Sequence, residues 1–309
     1  MFHITIYSVN KVSQSPFKQN LAVQQSHFKR TILRPKNMDR QISSEKAIRE
    51  LVKSNVITFA QTFSERHISE FDNPDGTLNM KIHNVFIAAL GEEIQYYTAL
   101  VRSFDSSLGN MLETLAVSIG SFFYEVTNSV NGPLYPEQTS KIAELLEAYK
   151  NTQNPKKVSA DDYLLLREIN KPENFQTKVH VSDYYLFDKE KNEHFLIELK
   201  IGGDLDNKKA RSEKEALFEQ YAILSNVLGK DAKIKCYFAT AYNRYGEGKP
   251  WTQGRVKQFF SQEELLIGKD FWNFICKSDK GYDIVIDEYK KNAHIIKDAL
   301  DKIKAKYLD

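Results

Sequence analysis

Two short apolar runs either side of a polar turn constrain this chain more than any other feature. Val179, Val181, Tyr185 and Phe187 alternate with other residues, Asp188 to Glu193 are polar, and Phe195-Leu196-Ile197 opens a second run. Strand-like runs flanking a turn predict a β-hairpin. Most of the remaining chain has helical spacing instead. Ile48, Leu51, Val52, Val56, Phe59 and Phe63 predict a helix from Ser43 to about Phe71, ended by Asn73-Pro74-Asp75-Gly76. Further helices are expected from Lys81 to Phe104, from Ser106 to Val126 with Asn131-Gly132-Pro133 as its stop, and from Pro136 to Lys150. Beyond the hairpin the pattern predicts a helix from Lys208 to Leu228, with Leu217, Tyr221, Leu224 and Leu228 on one stripe, then a strand from Ile234 to Ala241. Ser261-Gln-Glu-Glu264 fits a capping box for a helix ending near Cys276, and Ile295, Ile296, Leu300 and Ile303 mark a last amphipathic helix. The class is α/β with a largely helical N-terminal third.

A length of 309 residues suits one elaborated domain or a core with a helical extension. No apolar run approaches the roughly 18 residues that span a bilayer, so a soluble, cytoplasmic protein is expected. Cys236 and Cys276 lack partners at metal-ligand spacing and read as reduced, structural thiols. Residues 1–37 hold Lys11, Lys18, Lys29, Arg30, Arg34 and Lys36 and no acid, which turns a net +2 for the whole chain into −4 for the remainder. This segment shows no sustained period and no secretory h-region. Two readings stay open for it: a basic DNA-binding arm, or a stretch upstream of a true start at Met38.

The chemistry concentrates on the hairpin. In a strand alternate residues share a face, so Glu198 and Lys200 are expected to point one way while Ile197, Leu199 and Ile201 enter the core. If the hairpin pairs as read, Asp183 falls beside Glu198, and the two carboxylates with the Leu199 carbonyl suffice for one Mg²⁺, which prefers oxygen ligands. Lys200 beside that ion suits attack of water on a phosphodiester, since cation and ammonium offset charge developing on the phosphate. An isolated Asp-x14-Glu-x-Lys match is as compatible with a solvated hairpin edge. Context argues otherwise: Glu198 interrupts an apolar strand, and a buried carboxylate needs a partner.

Three other elements point the same way, and each also has a plainer reading: a core salt bridge for Glu113, an ordinary solvated first turn for the cations of 208–214, and a long polar loop for 242–255. At about 100° per residue Glu113 aligns with Gly109, Ala116 and Gly120, away from the polar side of its helix. Lys208, Lys209, Arg211 and Lys214 open the helix after the hairpin, next to Gly202-Gly203-Asp204, where a helix N-terminus does not favour cations. The stretch Tyr242 to Arg255 supplies Asn243, Arg244, Lys249, Gln253 and Arg255 on a glycine-punctuated loop, residue types that bond base edges. Its Gly-x-Gly-Lys fragment lacks the spacing of a phosphate loop. The seven histidines form no metal-spaced pair, and neither a Gly-x-Ser-x-Gly elbow nor a Rossmann fingerprint occurs, which disfavours zinc catalysis, serine hydrolysis and dinucleotide chemistry.

Asp183 followed by Glu198-Leu-Lys200 resembles the PD-(D/E)xK nuclease superfamily, with Ser182 standing where the signature has proline. The resemblance implies a restriction-endonuclease-like mixed β-sheet flanked by helices. It also implies Asp183 and Glu198 as metal ligands, and Lys200 as the residue that orients or activates water. Ser107-Leu-Gly-Asn-Met-Leu-Glu113 looks like the helix that carries an accessory acid in restriction endonucleases, and Gln220 resembles a glutamine used near the site by some members. From about Met38 onward the chain is similar to the TdeIII-like family of type II restriction endonucleases. That resemblance implies cleavage of double-stranded DNA at an interrupted palindrome of GGNCC form by a homodimer. A cognate DNA methyltransferase would share the system without binding stably. The organisation expected is a single endonuclease domain over 38–309: a helical part at 38–150, a catalytic core at 160–245, and a recognition loop with C-terminal helices at 246–309. A structure-specific repair or recombination nuclease and a non-catalytic DNA-binding protein remain as alternatives.

Overall fold

The computed structural model describes residues 37–169 and 176–308, and the side chains within them except at 37–43, 82, 176, 181 and 183. The basic residues of segment 1–37 therefore lie outside the described residues. Glu45–Asp309 form one compact unit. The elements of the described residues are α1 (Asn37–Ser69), a short 3₁₀ turn (Asn79–His83), α2 (Val85–Ala88), α3 (Glu92–Gly120), β1 (Glu125–Leu134), α4 (Pro136–Lys150), α5 (Asp162–Arg167), β2 (Gln176–Asp188), β3 (Glu193–Lys200), α6 (Asn207–Leu228), β4 (Lys233–Thr240), α7 (Gly254–Lys257), β5 (Leu265–Ile267), α8 (Lys269–Ile275) and α9 (Gly281–Leu308).

Among the described residues five strands form one sheet in the order β1-β2-β3-β4-β5. β1, β2 and β3 pair antiparallel, whereas β3, β4 and β5 run parallel. A parallel pair needs a crossover, and α6 supplies it between β3 and β4. Period-two alternation on β3 then sorts its side chains. Leu196 joins a core with Leu217, Phe218 and Tyr221 of α6 and Leu145 of α4. Phe195, Ile197 and Leu199 enter a second core with Leu115 and Ile119 of α3 and Ile284 and Val285 of α9. Glu198, two residues from Leu196, shares the α6 face.

The sheet differs from the sequence expectation on its outer edge. Residues 125–134, read as a helix end and its stop, are strand β1, with Gly132 and Pro133 opposite Lys178 and Thr177. An edge strand tolerates a proline because one side of its backbone needs no partner. Gly132 is required there because a Cβ would come within 2.5 Å of Val227 and 3.2 Å of Ile223 on α6. The two helices expected across 81–126 are one long helix, α3, preceded by short turns that end at Gly91 with φ of 97°. Asp105, Ser106 and Ser107 do not break it, having no proline or glycine among them. Of the capping box at Ser261 and Glu264 only one half forms, Ser261 N donating to Glu264 Oε2 at 2.8 Å, and it sits on a three-residue turn that leads into β5; the helix expected there is α8.

A third apolar cluster joins Val56, Phe59 and Phe63 of α1, Met111 of α3 and Ile296 and Ile303 of α9. His67 is fully buried at its end, with Nε2 3.0 Å from Ser103 Oγ. Burial, aided by the neighbouring Arg66 charge, pushes its pKa from 6.5 to about 4. The folded state keeps His67 neutral where the unfolded chain binds a proton. Its contribution is therefore whole above about pH 6.5 and is lost as pH falls towards 4, by roughly 2 kcal/mol after allowance for solvent screening. Urea unfolding at pH 7 and pH 4.5 checks this: H67N should lose less stability between the two than the unaltered chain. Cys236 and Cys276 are free and buried, and burial pushes both thiols up, Cys276 to about 12. Among the described residues no helix is long and apolar enough to cross a membrane.

Candidate active site

Hairpin register fixes where the acidic positions stand. β2 and β3 pair through Tyr184↔Ile197, and one residue beyond that pair on each strand are Asp183 and Glu198. On its other side β2 pairs with β1 in two registers, Thr127↔Tyr185 and then Ser129↔Val181. Three residues, 182–184, thus lie opposite Asn128 alone. This irregularity is a bulge, a device that re-aims side chains beside active sites. Ser182, in the place of the signature proline, is 2% exposed and its Oγ has no hydrogen-bond partner. The Asp183 backbone lies in this bulge; its side chain lies outside the described residues.

Glu198 is 5% exposed, and one of its oxygens accepts a hydrogen bond from Gln220 Nε2 at 2.8 Å. The other stands 3.7 Å from Lys200 Nζ, which also approaches Glu213 Oε2 at 3.2 Å. A carboxylate and an ammonium are therefore held together on one strand, as alternation predicts, with Glu213 of α6 as a second acid on the amine. The Gln220 amide lies 3.3 Å from His180 Nδ1, whose other nitrogen lies 3.3 Å from Glu219 Oε2. Lys178 adds an ion pair to Glu219 at 2.6 Å, and the His180 and Lys178 contacts hold the Glu219 carboxyl below its usual range. A chain of polar contacts thus runs from Lys178 and Glu219 through His180 and Gln220 to Glu198 and Lys200.

Sequence reasoning missed Glu213, His180 and Glu219. A weak signal existed, since Lys178 and His180 share a strand face and Glu213 and Gln220 stand seven residues apart on one helix, two turns along the same side. Gln220 is fully buried, and its Oε1 has no partner. Removing its amide should loosen the carboxylate it holds. If Glu198 holds a metal for phosphodiester cleavage, as the resemblance implies, Gln220→Leu should lower cleavage by about 10- to 100-fold, the range seen when a partner of a metal-binding group is removed. Plasmid cleavage rates set beside the thermal midpoint of the same variant check it.

Glu113 lies half-buried on α3, and its backbone carbonyl accepts the Tyr184 hydroxyl at 2.9 Å. The small-residue stripe does permit close approach. A Cβ on Gly109 would come within 2.7 Å of Ile201, just past Lys200, and one on Gly120 would touch Val126 and Leu186. α3 therefore crosses the end of β3 and reaches β2 beside the bulge.

The cations expected to meet DNA divide. Lys208 and Lys209 are exposed on the first turn of α6 and Lys249 and Arg255 on the loop and α7. Arg211 is committed to Glu147 at 3.2 Å and Glu215 at 3.3 Å. Lys214 does not guard any mouth: it is fully buried and paired with Glu264. Asn243 turns inward, donating to the Lys249 carbonyl at 2.7 Å and accepting from Tyr245 N at 3.0 Å, so it shapes the loop rather than presenting an amide to a base. Arg244 pairs with Asp204, Gln253 also donates to Asp204 at 3.2 Å, and Gln253 Oε1 accepts from Arg255 N. The Arg244 contact holds the Asp204 carboxyl below its ordinary range.

Among the described residues no group of three His, Cys, Asp or Glu side chains stands at metal-holding distance. The donors at the hairpin are nonetheless of the right kind: the Glu198 carboxylate, the Leu199 carbonyl, the Asp183 position, and a partnerless buried amide oxygen on Gln220. An all-oxygen set fits a hard divalent cation such as Mg²⁺.

The sequence profile described as Type II restriction endonuclease, HinfI, matches residues 44–293. The chain belongs to this family. The HinfI match covers the hairpin, α3 with Glu113, α6 and the whole loop to Arg255. It establishes a restriction endonuclease family without reaching the TdeIII-like subfamily that the sequence resembles. No curated protein and no solved structure matches the chain.

Proposed function

We propose that this HinfI-family chain is a site-specific endonuclease that hydrolyses phosphodiester bonds of double-stranded DNA at the β2–β3 hairpin. The observation that carries the reading is the buried Glu198 carboxylate with the Lys200 ammonium 3.7 Å away, one position across from Asp183. Glu198, Asp183 and the Leu199 carbonyl would hold Mg²⁺. Bound there, that ion acts as a Lewis acid on phosphate and water. Lys200 places positive charge where the phosphate gains negative charge, and Glu213 steadies the ammonium. Gln220 fixes the orientation of Glu198, and Glu113 is the accessory acid brought by α3. In the reaction, water forms a bond to phosphorus as the bond to the 3′ oxygen breaks, leaving a 3′-hydroxyl and a 5′-phosphate.

The exposed Lys208, Lys209, Lys249 and Arg255 suit phosphate contacts, and Arg244 and Gln253 can turn to base edges once released from Asp204. The resemblance to the TdeIII-like family makes GGNCC the first site to test. A palindrome matches a two-fold symmetric homodimer with one hairpin per strand. A cytoplasmic enzyme protected by a cognate methyltransferase completes the system. Incubation of a mixed-sequence plasmid with Mg²⁺, followed by sequencing of the ends, tests all but the last two. Discrete ends at one palindrome support the reading. Cuts only at branches or mismatches would favour a repair nuclease, and no cut under any Mg²⁺ condition would leave a non-catalytic DNA-binding protein.

A further inference from the structure

A cleft of about 380 Å³ lies away from the hairpin, between the end of α1, the turn at Thr77–Lys81 and the middle of α3. Its wall carries three cations, Arg66, Lys81 and Arg102, and no acid, with serines and Asn110 of α3 between them. Among the described residues, none of the three cations has a carboxylate within ion-pair distance. Arg211, Arg244 and Lys214 elsewhere are all committed to acids. Arg66 is held in place by neutral groups. Its Nη2 donates to Ser103 Oγ at 2.8 Å and lies 3.1 Å from the buried His67 Nε2, while the guanidinium rests 5.3 Å over the Phe63 ring. Glu70, which borders His67, is turned to the Thr77 amide at 2.8 Å. A fixed guanidinium with hydroxyls and no counter-charge is suited to a phosphate.

Position on α3 points to DNA as the source of that phosphate. Ser103, Ser106, Asn110 and Glu113 recur at three- and four-residue spacing, so Glu113, at the border of the small-residue stripe, stands one turn along α3 beside the cleft-lining side. From Ser106 to Glu113 the helix rises roughly 10 Å, the axial span of about three nucleotides of a DNA strand. We propose that this cleft grips the DNA sugar-phosphate backbone, a few nucleotides from the bond that is cut. The distance to the cut rests on the hairpin being the nuclease centre; the grip itself does not.

Salt-dependent binding of a fluorescein-labelled duplex to the full chain tests the proposal, with E198Q present throughout so that the duplex stays whole. The double variant K81Q/R102Q should weaken binding several-fold for any sequence and lower the log K against log salt slope by about 1.8, or 0.9 for each phosphate no longer neutralised. R102Q alone, at an exposed position, should give about half of that change. K297Q, an exposed lysine of α9, serves as control and should leave the slope in place. An unchanged slope in K81Q/R102Q, or an equal change in K297Q, overturns the proposal. So does stabilisation of the chain by inorganic phosphate, abolished in K81Q/R102Q, without an effect on duplex binding. Plasmid digestion by the unaltered chain runs in parallel. Cutting with an unchanged slope sinks the cleft and spares the hairpin; a lowered slope without cutting does the reverse.

Discussion

Replacing Glu198 by Gln is expected to reduce Mg²⁺-dependent cleavage on the order of 10³-fold or more while leaving the chain folded. The amide has nearly the size of the carboxylate, and its oxygen can still accept the Gln220 hydrogen bond seen at 2.8 Å. What it removes is the negative charge, and its NH₂ would face the Lys200 ammonium. Stability without metal should change little, because Lys200 keeps Glu213 at 3.2 Å and a buried charge is gone. The informative pair of measurements is plasmid turnover and the shift of Tm on adding Mg²⁺. A ligand that binds the folded state raises Tm, so the unaltered chain should respond and E198Q should not. Unimpaired cutting by E198Q would remove the hairpin from the chemistry altogether.

The largest stability effect is expected on the other side of α6. Lys214 and Glu264 are both buried, pair with each other, and sit against the Tyr163 hydroxyl at 3.2 Å. The ammonium also lies over the rings of Tyr163 and Phe218 at 4.3 and 4.5 Å. Lys214→Met should cost about 3 to 5 kcal/mol by stranding the Glu264 charge, a fall in Tm of roughly 10 °C. In K214M/E264Q both charges are gone and Gln can still accept from Ser261 N, which Glu264 holds at 2.8 Å, so most of the loss should return. Chemical unfolding of the three variants makes the comparison. Recovery of under about 1 kcal/mol would mean that packing around the lysine stem, not the stranded acid, carries the cost.

What the sequence could disclose depended on whether a residue's role was local. The β2–β3 hairpin and α6 were legible because their apolar residues repeat at two and at three to four, and Glu198 with Lys200 followed from strand alternation. β1 was hidden because it is an edge strand with only Val130 and Leu134 buried, so its polar residues break any alternation. The bulge at 182–184 was hidden too, since nothing in Val-Ser-Asp-Tyr announces two extra residues against a partner read as helix. Lys214 belonged by charge to the basic first turns of α6. By spacing it belonged to the buried stripe of Ala210, Leu217 and Tyr221, and burial decided. Asn243 and Arg244 read as base-contacting because of their chemistry, which is indifferent to whether Asp204 or a loop carbonyl reaches them first. Glu213 and His180 became part of the site only through the packing of α6 on β2 and β3, which no spacing along the chain encodes.

The loop after β4 is pinned at both ends of its tip by one side chain, since Asn243 bonds the carbonyl of Lys249. Residues 244 to 248 hang from a clasp whose two jaws are a strand end and a backbone oxygen, and Asp204 tethers the tip from outside. Such a clasp makes the tip an exchangeable cartridge: its length and side chains can vary while Asn243 and the jaws keep the hairpin and its carboxylates undisturbed. If the hairpin cuts and the loop reads DNA, as proposed, a lineage could therefore drift in the DNA word it reads without rebuilding the cutting machinery.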